Sequence, residues 1–217
     1  LNLQPSTFSP GGAVEISAAN ELQHVGLENV TLGQGGTLLI DPKNITITDI
    51  ASAGSWAFSA IMGLGNGTDS DVSALDDSDQ FGRSVSLNAA GDRLAVGASR
   101  DDGAGNAVNS SGAAYLFSFT DNQFSGGTLE STIGKGYTGG KNVDVTNLEF
   151  GDIFGSAVSL NGAGDRLAVG AKFNDSIGNV TLESGAAYLF SFSDTDFNGG
   201  SLESTIGKGY TGGKNVD

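Results

Sequence analysis

Oxygen-bearing side chains are the main chemical resource of this sequence, and they come in short runs that occur twice. Asp76-Asp77-Ser78-Asp79 is answered by Glu149-Phe150-Gly151-Asp152, and Asp101-Asp102 with Asn106 by Asn174-Asp175 with Asn179. Asn88 with Asp92 is answered by Asn161 with Asp165. Carboxylate and amide oxygens suit hard cations such as calcium, which take roughly six to eight oxygen ligands. Asn88 and Asp92, with alanine and glycine between them, are too few for that and read as turn residues bonding their own backbone. In the runs at 76–79 and 149–152 only Asp79/Asp152 and an acidic first position persist, so these read as solvated acidic turns. The loops at 99–111 and 172–184 stay open between polar surface loops and weak calcium sites.

Other chemistry is sparse. His24 is the one histidine, in a β-like stretch with no partner that spacing assigns, and cysteine is absent. There is thus no thiolate nucleophile, thiolate metal site or disulfide framework. Gly134-Lys135-Gly136-Tyr137-Thr138-Gly139-Gly140-Lys141 invites a phosphate-loop reading, but Asn142 follows Lys141 where Ser or Thr is required, and no helix is expected after it. It reads instead as a glycine-rich connection, with Tyr137 and Tyr210 packing against a neighbouring unit. Six N-x-[ST] sequons begin at Asn29, Asn44, Asn66, Asn109, Asn174 and Asn179, and reflect an Asn/Thr/Ser-rich composition. No residue is assigned to catalysis, cofactor binding or a metal.

What must position these loops is a duplicated unit. Residues 72–144 and 145–217 align without a gap at an offset of 73, with about 50 identities. GDRLAVGA at 91–98 returns at 164–171, GAAYLFSF at 112–119 returns at 185–192, and 129–144 returns unchanged at 202–217. Each unit resolves into four strand candidates, at 84–87, 93–96, 113–119 and 129–133, with copies at 157–160, 166–169, 186–192 and 202–206. Tyr115, Phe117 and Phe119 fall on one face of the third strand and Leu116 on the other. Phe117, Phe119, Phe124 and their copies are expected as sheet-core aromatics. Four strands per repeat is the pattern of a propeller blade.

Residues 1–53 alternate apolar and polar positions over short spans separated by Gly-rich turns, such as Val14-Glu15-Ile16-Ser17 and Ile45-Thr46-Ile47-Thr48. The tight spacing predicts a β-solenoid-like segment. Residues 54–71 read as a linker in which Ser55–Gly65 resembles the fourth-strand segment Glu130–Gly136, with a short helix at Trp56–Met62 as the alternative. The fold expected is all-β, a short solenoid-like segment followed by four-stranded blade-like repeats. Two blades do not close a ring, so further repeats or other copies of the chain are expected to cover the exposed edges and faces. Both ends read as cut from a longer polypeptide.

The net charge of −15 over 217 residues argues against nucleic acid and anionic membranes as partners. No apolar run of about 18 residues predicts a membrane span. An acidic, cysteine-free, Gly-rich chain suits an exported bacterial protein.

Phe81-Gly82-Arg83-Ser84-Val85, Gly91–Ala98 and Gly112–Phe117 resemble the FG-GAP repeat of integrin alpha-subunit propellers, and the second copy matches through Phe154-Gly155, Gly164–Ala171 and Gly185–Phe190. Many such repeats hold calcium between strands one and two, a site the Asn88–Asp92 and Asn161–Asp165 loops do not reproduce. Residues 35–46 (GGTLLIDPKNIT) resemble filamentous-haemagglutinin-like bacterial exoproteins. The two resemblances together imply a non-catalytic structural or adhesive module of a large extracellular bacterial surface protein, with a cell-surface or glycan ligand or copies of itself as partner. A self-assembling fibre or surface-layer subunit, a homopolymer in which repeats pair between chains, and a propeller-type hydrolase fragment are the alternatives.

Overall fold

The computed structural model describes residues 70–217 apart from 180, together with Met62–Gly63 and the backbones of four short strands nearer the N-terminus. The chain divides into two compact bodies, 1–57 and 58–217. In the first, β1 (Ser6–Thr7) pairs with β3 (Val30–Thr31), and β2 (Ala13–Ala18) with β4 (Thr37–Pro42), both in parallel. The two pairs share one offset, Ser6 facing Val30 and Ala13 facing Thr37, as successive rungs of a solenoid do. His24, Asn29, Asn44, Asn66 and residues 56–61 of the helix alternative lie outside the described residues. So does the side chain of Asn179.

The larger body is built from the two repeated units. After β5 (Met62–Gly63) and β6 (Ser70–Asp71), the first unit forms β7 (Phe81–Leu87), β8 (Arg93–Ala98), β9 (Ala113–Ser118), β10 (Thr128–Gly134) and β11 (Val143–Asp144). The second forms β12 (Phe154–Leu160), β13 (Arg166–Ala171), β14 (Ala186–Ser191) and β15 (Ser201–Gly207). Each set of four long strands is an antiparallel meander in sequence order. The fold is all-β, with two blade-like sheets.

Two local features differ from the strand pattern in the sequence. The first strand of each unit starts at the Phe-Gly pair, because a bulge between Phe81 and Ser84, or Phe154 and Ala157, absorbs the irregular residues. β11 adds a short parallel strand on the β10 edge, Ile133 facing Val143, too short to leave a periodic trace. Met62 is in a strand: Met62–Gly63 pairs in parallel with Ser70–Asp71 as Ile133–Gly134 does with Val143–Asp144. In both places the following valine amide, Val72 or Val145, bonds back to the glycine carbonyl.

Alternation along the strands gives each sheet two apolar faces. In the first unit one face carries Tyr115, Phe117 and Phe119, packed with Val72, Leu75 and Val96. The other carries Ala95, Ala114, Leu116 and Ile133, which join one core with Phe154, Tyr188, Phe190 and Phe192 of the second unit. The Leu face of one unit is thus covered by the aromatic face of the next. Each fully buried aromatic or branched side chain in this seam contributes about 1.5–3 kcal/mol.

The Phe-Gly pair explains how two sheets come so close. Phe154 is fully buried and meets Tyr188 edge-on at 5.4 Å. Its amide bonds to the Ser111 carbonyl at 3.0 Å. Gly155 has φ +81, and a Cβ there would lie 2.3 Å from the Ala113 carbonyl oxygen. Glycine therefore meets two demands at once, a left-handed backbone and contact with a neighbouring main chain. Ser84 Oγ donates to the Gly155 carbonyl at 2.9 Å, and Ser86 Oγ accepts from the Leu160 amide at 2.9 Å, tying the units together along the seam.

Candidate functional site

The duplicated oxygen runs converge at one end of each sheet on the tyrosine of the third strand. In the first unit Asp101 is buried and accepts bonds from the Tyr115 hydroxyl at 2.5 Å, the Tyr137 hydroxyl at 3.0 Å and the Gly103 amide at 2.8 Å. Burial raises the Asp101 pKa against the opposing pull of these donors. Asp79, also buried, accepts from the Asp76 amide at 2.7 Å. Burial, with the Asp101 charge adding to it, pushes its pKa up to about 6.

The second unit solves the same problem with a neutral residue. Asn174 replaces Asp101, donating from Nδ2 to Asp152 at 2.9 Å and accepting from the Tyr210 hydroxyl at 3.0 Å. Tyr188 and Tyr210 join hydroxyl to hydroxyl at 3.2 Å. Burial raises the Asp152 pKa, opposed by the Glu149 amide and by Asn174. A polar cavity of ≈ 230 Å³ opens beside Glu149, Asp152, Asn174 and Asp175.

Tyr137 and Tyr210, expected against a neighbouring unit, turn back onto their own. Each phenol needs a buried acceptor, and Asp101 or Asn174 supplies it. The rest of the 99–111 loop is held by Asp102, which caps the Ser110 amide at 2.7 Å, and by Asn106, which donates to Asp76 at 2.7 Å.

In the hairpins, Asn88 Oδ1 accepts from the Asp92 and Arg93 amides, each at 3.1 Å, and its Nδ2 donates to Asp92. Asn161 repeats the arrangement with Gly164, Asp165 and Arg166. The glycine-rich 134–141 segment leads into β11, with Lys141 paired to Glu130. Among the described residues no group of three or more acidic or histidine side chains is arranged to hold a metal.

A second place gathers charge of the opposite sign. A groove of ≈ 470 Å³ runs across the seam, lined by Phe81, Arg83 and Arg100 from the first unit and Ser156, Lys172 and Phe173 from the second. Arg83, Arg100 and Lys172 are exposed, and the ion pairs among the described residues engage other cations. Lys172 Nζ stands 4.5 Å from the centre of the Phe173 ring, which is 38% exposed. In a chain with 10 basic and 25 acidic residues this is a local reversal of sign. Sequence reasoning missed it because Arg83 and Arg100 lie in one unit and Phe173 in the other, at positions where the two copies differ.

The FG-GAP repeat family model matches residues 68–117 and 147–190, which hold the Phe-Gly strand and the two strands after it in each unit. The match supports FG-GAP, β-propeller-type repeats, as the meander and its seam do. No curated protein matches the chain.

Proposed function

We propose that the protein is a non-catalytic structural and adhesive module of a secreted bacterial cell-surface protein, and that its ligand is an acidic glycan held at the seam groove. The observation that carries this reading is the convergence of Arg83, Arg100 and Lys172 beside exposed Phe173 on an otherwise acidic molecule. Guanidinium forks pair with carboxylates in two parallel bonds, and an aromatic face takes the apolar side of a sugar ring. The net negative charge repels nucleic acid and anionic bilayers from the rest of the surface.

The extracellular assignment is supported by the absence of cysteine, the Gly-rich acidic composition, and the likeness of residues 35–46 to filamentous-haemagglutinin-like exoproteins. A non-catalytic role is supported by the duplication of the Asp/Asn–Tyr networks, whose polar groups bond chiefly to one another. Catalysis generally needs one singular constellation, whereas a packing device can be copied with each unit.

The test is binding of the 217-residue chain to immobilised uronic- or sialic-acid glycans and to their neutral counterparts. Binding to the acidic set, weakened at least about tenfold by Arg83→Ala with Arg100→Ala and by raised salt, is expected. Equal binding to neutral glycans, or none to either set, refutes the ligand assignment.

A further inference from the structure

Asparagine followed by glycine occurs twice among the described residues, and the fold treats the two pairs differently. Both lie in the second unit, Asn161-Gly162 and Asn198-Gly199, where the first unit has Asn88-Ala89 and Ser125-Gly126. In such a pair the glycine amide nitrogen can attack the asparagine Cγ, because no Cβ on the following residue obstructs the approach. The N–Cγ bond forms, the Cγ–Nδ2 bond breaks and ammonia leaves, closing a succinimide ring. Water then adds to either ring carbonyl, and the ring opens to aspartate or isoaspartate. One water is consumed and one ammonia released, with no change of oxidation state.

The fold decides whether Cγ can turn toward that nitrogen. Asn161 is pinned. Its Oδ1 accepts from the Gly164, Asp165 and Arg166 amides at 2.9, 3.0 and 3.0 Å, and its Nδ2 donates to Asp165 at 2.8 Å. The Gly162 carbonyl is engaged as well, accepting from the Ala89 amide of the first unit at 3.0 Å. Attack at Asn161 therefore requires the hairpin to open. Asn198 is half-buried in a turn whose residues 193–196 are exposed, and its side chain is held through Nδ2 to Asp194 at 2.8 Å. An exposed turn of this kind opens locally at far less cost than the sheets it joins.

The turn that carries Asn198 is also what the first unit grips across the seam. Arg93 Nε donates to the Thr195 carbonyl at 2.6 Å and Nη2 to the Asp196 carboxylate at 2.7 Å, while Lys141 donates to the Asp196 carbonyl at 2.7 Å. Asp194 shapes the turn, accepting from the Asp196 and Asn198 amides at 3.0 and 3.1 Å besides Asn198 Nδ2. The bond from the Asn198 side chain, with that from its amide, holds the Asp194 carboxyl below its ordinary pKa. A carboxylate at residue 198 would lose this donor and set two like charges together. Isoaspartate would also lengthen the main chain by one methylene. In the first unit Asp121 accepts from the Gln123 and Ser125 amides at 2.9 and 3.1 Å, so the same turn forms around a serine that cannot cyclise.

We propose that Asn198 is a site of spontaneous deamidation in the folded protein, that Asn161 is protected by its hairpin, and that conversion of Asn198 loosens the seam between the units. The test is prolonged incubation of the 217-residue chain in mildly alkaline buffer, with and without denaturing urea, followed by tryptic peptide mass mapping. In the folded chain Asn198 should convert at least about tenfold faster than Asn161, and in urea the two should convert at similar rates. Asn66-Gly67, outside the described residues, falls in its own peptide between Lys43 and Arg83. Asn198→Asp should melt at least about 2 °C below Asn198→Ser, which places the first unit's residue in the turn. In an Arg93→Ala background that difference should shrink by about half or more. Comparable conversion of Asn161 in the folded chain, an excess at Asn198 that persists in urea, or an Asn198 that reacts only in urea overturns the site assignment. Equal melting of the two variants, or a difference that Arg93→Ala leaves unchanged, overturns the link to the seam.

Discussion

Tyr115 donates its hydroxyl proton to Asp101 across 2.5 Å, in a place where the second unit has a neutral chain, Tyr188 to Tyr210 and Tyr210 to Asn174. One architecture thus carries a buried carboxylate near Asp79 in one copy and an amide bonded to Asp152 in the other. The amide both donates and accepts, so it satisfies the tyrosine side and the aspartate side together. The carboxylate accepts from the tyrosines and repels Asp79.

Asp101→Asn should therefore stabilise the protein at pH 7 by on the order of 1 kcal/mol, because it removes a buried charge and supplies a donor toward Asp79. Urea denaturation of the variant and the parent measures the difference. The reverse change, Asn174→Asp, should destabilise the second unit in the same assay. Loss of stability in both variants would mean that Asp101 is held by its three donors more strongly than Asp79 repels it.

The same pair sets a pH dependence. Asp79 has a folded-state pKa of about 6 against an ordinary 3.8, so the folded state binds this proton more tightly than the unfolded chain does. Between these two values stability rises as pH falls, and above about pH 6 the stabilising effect of protonation is lost. The buried Asp101 and Asp152, raised as well, act in the same direction. Denaturation midpoints measured from pH 7 to pH 5 should increase, and the increase should be smaller in Asp101→Asn. A flat profile in the parent would count against burial of an uncompensated Asp79.

The meander and the faces of the third strand were legible in the sequence, because alternation and duplication fix them together. Leu116 and Tyr115 part to opposite faces by period alone. The Asp101–Tyr115–Tyr137 contact was not, since it joins a loop, a strand and a linker separated by up to 36 residues. The cationic groove was hidden for a related reason. Arg83, Arg100 and Phe173 become neighbours only once the units stack, and stacking order is not written in either copy alone.

The two glycines of the Phe-Gly pairs should respond unequally to alanine. Gly82 has φ +85 with open space around its missing side chain, so Gly82→Ala costs only the left-handed backbone, about 1–2 kcal/mol. Gly155 has nearly the same φ, but its Cβ would meet the Ala113 carbonyl at 2.3 Å. Gly155→Ala should cost at least about 2 kcal/mol more and separate the unfolding of the two units. Equal costs in chemical denaturation would place the role of Phe-Gly in the turn rather than in the seam.

Chelation should do little. The Asn88 and Asn161 oxygens are spent on their own hairpin amides, and Asp101 and Asn174 on tyrosine hydroxyls. Excess chelator is expected to move the melting temperature by less than about 2 °C, since a ligand stabilises only in proportion to its binding to the native state. A fall of about 10 °C would put a cation in the 99–111 or 172–184 loop.

Ile133 and Ile206 are the same residue of an invariant segment, one wholly buried beneath the next unit and the other 42% exposed. Removing a buried isoleucine side chain leaves a cavity between two sheets whose backbones already touch at Gly97 and Gly155, so little relaxation is available. Ile133→Ala should cost about 2–5 kcal/mol, and Ile206→Ala less than about 1 kcal/mol in the 217-residue chain. Asn109→Ser, in an exposed loop where the side chain makes a 3.3 Å bond to Asp102, should stay within about 0.5 kcal/mol and serves as the control. Chemical denaturation of the three variants decides the matter. Should Ile133→Ala prove no worse than Ile206→Ala, stability would reside within each sheet and the seam would be a contact of convenience between two self-sufficient units.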